Sequence, residues 1–469
     1  MTRALRTLAW CGAALAGVAL LAVASALLTL ASLGVFARPS GAWTTEVAFA
    51  GVRTHVNVVG LVRLATLPGT AYLLDGRTMD TAGGTLRFAR DGNALRVTCA
   101  PCRVRHPDLA SVPVQFRSLA LEAQRADDTV DAALVVDTVR VPLTARLRAS
   151  SIDLAWQLPS TELAALYKAL GEAVPEAAFA RIEGTVQAHG ALTLPSGRGD
   201  VRWSAEDLEV GGLGTESLQY GWFRFACGQP NGSAQLTISG DGEKAWTAGD
   251  AMGPYLAAAV LAAEDQRFHV HAGYDEHAIA GLLSDLENGR PKRGASTITQ
   301  QLARTLFTGG ERTALRKLRE LLYAIEMERT LGKGRILELY LNTVDWGPGL
   351  CGARAAARAY FGKPPARLTA LEAAWLAGVL RNPRTAWEQQ FAARQPDRAR
   401  ATQLVTQMRD WPKRERTRFA AQPLAFAPAA RAKASERSAQ SAAARARHQV
   451  TGDAAAALTA PAALRATRR

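Results

Sequence analysis

The hydrophobic period of this chain changes once, around the glycine-punctuated stretch Gly228-Gln-Pro-Asn-Gly232 and Gly240-Asp-Gly242. Before it, short alternating runs are separated by Gly, Asp and Asn; after it, apolar residues recur at helical spacing through about Met408. A period of two buries one face of a strand and a period near 3.6 buries one stripe of a helix, so the two halves need different cores. The 469 residues suffice for that, since domains hold roughly 100 to 200 residues each.

Residues 40–227 read as a β-rich domain and 228–245 as a linker. Thr85-Leu-Arg-Phe-Ala89 and Ala94-Leu-Arg-Val-Thr98 flank Asp91-Gly-Asn93, a hairpin whose turn residues tolerate positive φ. Val135 to Leu147, Ile182 to Leu194 and Gly221 to Phe225 alternate in the same way. One helix interrupts them, with Ser160 as its cap, Leu163, Leu166 and Leu170 on one side and Pro175 as its stop. Cys99-Ala-Pro-Cys102 reads as a structural disulfide ahead of a redox motif, since no strand, helix, strand unit lies nearby; the second such pair that a zinc site of four thiolates needs is missing, and Cys227 and Cys351 stand isolated.

At the N-terminus, Arg3 and Arg6 precede an uncharged, apolar run over 7–37 that exceeds the roughly 20 residues needed to span a bilayer core. It reads as a transmembrane anchor with the arginines cytoplasmic; a cleaved signal peptide would have a shorter apolar core, about 7 to 15 residues. Residues 411–469 are rich in Ala and Arg and read as a disordered basic tail. The formal net charge of +14 attracts polyanions, and charge alone does not choose among nucleic acid, anionic lipid and pyrophosphate.

Residues 246–410 read as an all-α unit. Tyr255 to Ala263 fits a buried helix that delivers Glu264 at its end, where partial burial raises a carboxyl pKa. Ala314 to Leu331 is amphipathic, with Leu318, Leu321, Leu322 and Ile325 on the buried side. Thr369-Ala-Leu-Glu372 is a capping box that opens a further buried helix through Leu380. Arg316, Lys317 and Glu320 can converge on one helix edge, as a site or as an ordinary ion pair. Ser296, Thr297, Thr299, Gln300 and Gln301 crowd a helix start, where free amides favour anions; Thr297 and Gln300 also have the spacing of a local cap. His271 reads as a hydrogen-bonded structural residue beside Gly273, and Tyr340 and Asn342 as packing residues.

Four blocks thus follow one another: Glu264-Asp265 with Phe268, His271 and Gly273; Ser296 to Leu302; Arg316-Lys317 with Glu320; and Ile336-Leu-Glu-Leu-Tyr-Leu-Asn342. In this order they resemble the peptidoglycan glycosyltransferases of glycosyltransferase family 51, of the monofunctional biosynthetic transglycosylase type, over about Trp246 to Asp410. The resemblance implies a lysozyme-like fold and polymerisation of lipid II into glycan strands. Glu264 would take the proton from the acceptor GlcNAc 4-hydroxyl, which displaces undecaprenyl pyrophosphate from the MurNAc donor with inversion. Glu320 would be the second catalytic carboxylate, acting directly or through a divalent cation, Mg2+ or Mn2+; no organic cofactor is implied. Asp265, Ser296, Thr297, Gln300, Gln301, Arg304, Arg316 and Lys317 would bind the substrate and its pyrophosphate.

The implied partners are lipid II, the growing strand, the inner membrane and cell-wall synthesis proteins, with the catalytic unit periplasmic and no nucleic acid. The β-rich domain would then be a spacer above the membrane or a platform for partners or lipid. Two positions depart from the family pattern: Ala295 replaces the second glycine of a pair, and Arg304 replaces a lysine. Ser-x-x-Lys is absent from the sequence, which points to a monofunctional protein. The alternatives are a catalytically weak scaffold that binds envelope partners through 40–227, and a lysozyme-like hydrolase.

Overall fold

The computed structural model describes residues 44–49, 52–57 and 69–428, apart from breaks at 108, 149–150, 195, 197, 230–232, 288–293 and 311–312. The anchor expected at 7–37 and the part of the expected tail beyond 428 lie outside the described residues. Among the described residues no helix is long and apolar enough to cross a membrane. Contacts divide the chain into two units, Met1–Leu208 with Ala280–Arg293, and Glu209–Ile279 with Gly294–Arg469.

The first unit is β-rich. Strands β1 (Thr44–Phe49) and β2 (Val52–Asn57) pair as a hairpin, and a short helix α1 (Thr70–Leu74) follows. Next come β3 (Thr78–Thr81), β4 (Gly84–Asp91) and β5 (Ala94–Cys99). A ribbon of β6 (Cys102–Val104) and β7 (Val114–Phe116) leads to β8 (Leu119–Ala126), β9 (Thr129–Val136) and β10 (Val139–Leu147). Strands β11 (Ile152–Glu162), β12 (Arg181–Leu194) and β13 (Arg198–Gly211) complete a nine-stranded sheet ordered β13-β12-β11-β10-β9-β8-β5-β4-β3.

The register explains the alternation. Phe88, Val97, Leu121, Leu134 and Val141 stand opposite one another across β4, β5, β8, β9 and β10, so these apolar residues share one face. The other face carries Glu122 between Arg96 and Arg140. The hairpin expected around Gly92 is β4–β5, and Cys99–Cys102 is a disulfide at the corner before β6.

Ser160, expected to cap a helix, lies in β11 instead. The strand continues through a register shift between Leu158 and Thr161, where Pro159 has no N–H to give a ladder. Helix α2 (Leu163–Ala169) starts only after Glu162 and buries Leu163, Tyr167 and Ala169.

The second unit opens with a hairpin of β14 (Trp222–Gly228) and β15 (Ala234–Gly240). This overturns the boundary expected at 227 and the linker expected at 228–245, since β15 lies inside that linker and pairs along its whole length. It also adds strands to a unit expected to be all-α. Cys227 and Cys351 are not isolated but bonded to one another across 124 residues, tying β14 to the loop after Asn342.

The remainder is helical: α3 (Leu256–Glu264), α4 (Glu276–Glu287), α5 (Ile298–Ala303), α6 (Ala314–Thr330), α7 (Gly332–Thr343), α8 (Ala353–Phe361), α9 (Ala370–Val379), α10 (Pro383–Ala386), α11 (Arg398–Gln407) and α12 (Lys413–Ala420). Alanine-rich α3 and α9 are apolar nearly all round, so they occupy the middle of the core, where α9 packs on both α3 and α11. The expected capping box at Thr369 and Glu372 opens α9. On α6, Leu322 and Ile325 are buried as expected, but Leu318 is 36% exposed and Leu315 takes the inward place.

Residues 411–428, expected to be part of a disordered tail, are folded. Phe419 and Phe426 are core residues, the Phe426 ring meets Trp375 edge-on at 4.8 Å, and the Ala427 amide donates to the Tyr360 carbonyl at 2.8 Å. A segment poor in apolar residues is held by its few aromatic ones.

Candidate active site

Helix α3 stops at Glu264 because Asp265 leaves helical geometry, with φ −157° and ψ 76°. The half-buried Glu264 carboxylate accepts from Gln301 Nε2 at 3.0 Å, and Gln301 Oε1 accepts from the Tyr340 hydroxyl at 3.0 Å. Burial pushes the Glu264 carboxyl above the usual range; the Gln301 hydrogen bond and the charges of Arg304 and Arg400 oppose that push, and Asp265 adds to it. Burial likewise raises the Tyr340 hydroxyl well above its ordinary value, so it stays a donor.

Asp265, expected to meet substrate, turns inward. It accepts from the Ile298 amide at 2.9 Å and from His271 Nε2 at 3.0 Å. His271 Nδ1 accepts from the Gly273 amide at 3.2 Å, which leaves Nε2 as the donor to Asp265. Gly273 itself has φ 94°, and a Cβ there would sit 2.8 Å from the Ala324 carbonyl oxygen. Lys333 fixes the same loop, donating to the His271 carbonyl at 2.6 Å and to Glu328 at 2.8 Å.

The start of α5 is likewise engaged within the protein. Thr297 and Gln300 form a reciprocal capping box, Thr297 donates to the Gly273 carbonyl at 2.7 Å, and both side chains are buried. Of the alternatives open for these two residues, the local cap is the one observed. The negative group at this helix end is Asp265, so no external anion is needed there.

The open side of α5 carries the chemistry. Ser296, just before the helix, accepts from Lys317 Nζ at 2.7 Å, and Lys317 also pairs with Glu320 at 2.8 Å. Glu320 is 1% exposed, and its other oxygen is taken by Arg316. Burial, with the charges of Arg316 and Arg304 behind it, pushes the Lys317 ammonium down to about 7, against the pull of Glu320, while 39% of its side chain stays accessible.

Arg304, exposed just past the end of α5, bears electrostatically on both Glu264 and Lys317. The carboxylate end and the cationic end therefore share one field. Together they offer a base for an incoming hydroxyl and positive charge for an anionic leaving group.

The donor set does not fit a cation held on Glu320, because both its oxygens are committed to cationic side chains. Among the described residues no three His, Cys, Asp or Glu gather into a ligand group. Sequence reasoning missed Arg400, whose charge reaches Glu264 from α11, and the contact between Tyr340 and Gln301. Arg400 also lines a cavity of about 300 Å3 with Trp375, Arg381, Asn382 and Thr385. Its distance along the chain from the Glu264 block hides it from any motif.

Residues 232–409 match the family profile described as Transglycosylase. The chain is 49% identical over 142 residues to a biosynthetic peptidoglycan transglycosylase of Rhodospirillum centenum, covering 30% of this chain and 62% of that protein. Its likeness to the protein of that name from Aeromonas hydrophila is 52% over 128 residues, covering 27% and 54%. The corresponding protein of Azoarcus sp. is 45% identical over 150 residues, covering 32% and 64%. The chain thus spans little more than half to under two thirds of the length of the relatives it matches. Glu264, Gln301, Lys317 and Glu320 all lie inside the stretch 232–409 that matches the transglycosylase profile.

Proposed function

We propose that the helical unit polymerises lipid II into glycan strands. The carrying observation is that α5 serves two ends at once: Gln301 holds Glu264, Ser296 holds Lys317, and Arg304 acts on both. Glu264 takes the proton of the acceptor GlcNAc 4-hydroxyl as that oxygen bonds to the donor anomeric carbon. The bond to undecaprenyl pyrophosphate breaks with inversion, and the electron pair leaves on the diphosphate. Lys317, Arg316 and Arg304 balance the departing charge, and buried Glu320 keeps Arg316 and Lys317 together.

A divalent cation, if the reaction uses one, would be bound mainly by the substrate's diphosphate, since Glu320 is already neutralised. The anchor at 7–37 would place the unit outside the inner membrane, on the periplasmic side, and the β-rich unit would serve as a spacer or as a platform for cell-wall synthesis proteins. A hydrolase is the second reading, favoured by the raised Glu264 pKa, which suits a general acid. The Gln301 donor and two arginines around Glu264 support the carboxylate form and hence the polymerase. Incubating the purified full chain with lipid II in detergent tests this: new strands are expected. Intact lipid II, or shortening of added strands, would defeat the proposal.

A further inference from the structure

Tyr340 is 1% exposed, on α7, and its hydroxyl meets Gln301 Oε1 rather than another aromatic ring. The ends of a side-chain amide are not equivalent: a hydroxyl donating to the oxygen leaves the NH2 group for the other neighbour. That neighbour is Glu264 Oε2. Turned over, the amide would set oxygen against carboxylate and leave the buried hydroxyl without its acceptor.

We infer that Tyr340 is a positioning residue: by donating to Gln301 it holds the amide with its N–H on Glu264, and so favours the ionised carboxylate. The inference rests on Glu264 being the base. The groups that bear on Glu264 are Asp265 beside it, Gln301 on α5, Arg304 just past α5, Tyr340 on α7 and Arg400 on α11. Tyr340→Phe leaves Asp265, Gln301, Arg304 and Arg400 in place and removes one oxygen.

The test uses the full chain in detergent. The Glu264 carboxyl is titrated by isotope-edited infrared spectroscopy, assigned by its loss in Glu264→Gln, beside the pH profile of kcat/KM on lipid II. In Tyr340→Phe the Glu264 midpoint should rise by about one pH unit, a tenfold loss of ionised carboxyl below the midpoint. The acid limb of the profile should follow, with the alkaline limb unmoved. In a Gln301→Met background, which itself raises the midpoint, Tyr340→Phe should add nothing.

A midpoint unchanged in Tyr340→Phe, or shifted equally with and without Gln301, overturns the inference. Should Tyr340→Phe fail to fold, Gln301→Met decides alone, since an unchanged midpoint there removes the relay. If the midpoints move as expected and no glycan forms, the polymerase reading fails while the positioning role stands.

Discussion

Glu264 sits between opposed influences, burial raising its pKa while an amide donor and two guanidinium groups lower it. Glu264→Gln keeps the shape and loses the base, so polymerisation should fall by at least about 100-fold with unchanged circular dichroism; strand synthesis near the parental rate would contradict the assignment. Lys317 sets the other limit. Its pKa is depressed to about 7, so the ammonium is charged below that pH and neutral above it, and kcat/KM should decline as pH rises through about 7. Lys317→Arg keeps its charge and should lose that alkaline limb, whatever it costs in rate. The convergence of Arg316, Lys317 and Glu320 was legible because they lie within about one turn of a helix, whereas the roles of Glu264 and Glu320 came from the resemblance alone. Asp265 was placed with the substrate-binding residues because nothing local says that a carboxylate will cap a helix 33 residues on.

Helix α5 is only six residues long, yet it fixes Gln301, follows Ser296 and is closed by Thr297. Thr297→Ala should cost about 1 kcal/mol for the lost cap, with some further loss from the unpaired Gly273 carbonyl, read as a lower Tm. Activity should fall with it, and Thr297→Ser should restore both. A Thr297→Ala protein with parental Tm would show that the cap is idle. Capping boxes at Thr297 and Thr369 were readable because their partners lie three residues away. The inward side of α6 was read three residues off, at Leu318 instead of Leu315, because the period of an amphipathic helix does not say where its stripe begins. The β11 strand overran Ser160 because ladder pairing with β12 outweighed a local cap.

At the scale of the molecule, the change of period near Gly228 did announce two kinds of core, but the division falls at Glu209 and a hairpin belongs with the helices. Pairing of Cys227 with Cys351 could not be read from spacing, since a cross-link over 124 residues leaves no local pattern. Replacing both cysteines by alanine should lower the stability of the helical unit by about 2–4 kcal/mol in denaturant titrations, and reductant should then have no further effect on this cross-link. Equal stability with and without the bond would make it ornamental. The bond also divides preparations of one polypeptide into two materials. Chain recovered from a reducing cytosol would carry free thiols at these positions, whereas chain matured in an oxidising compartment would carry the clasp, so assays on the former would measure an unfinished molecule.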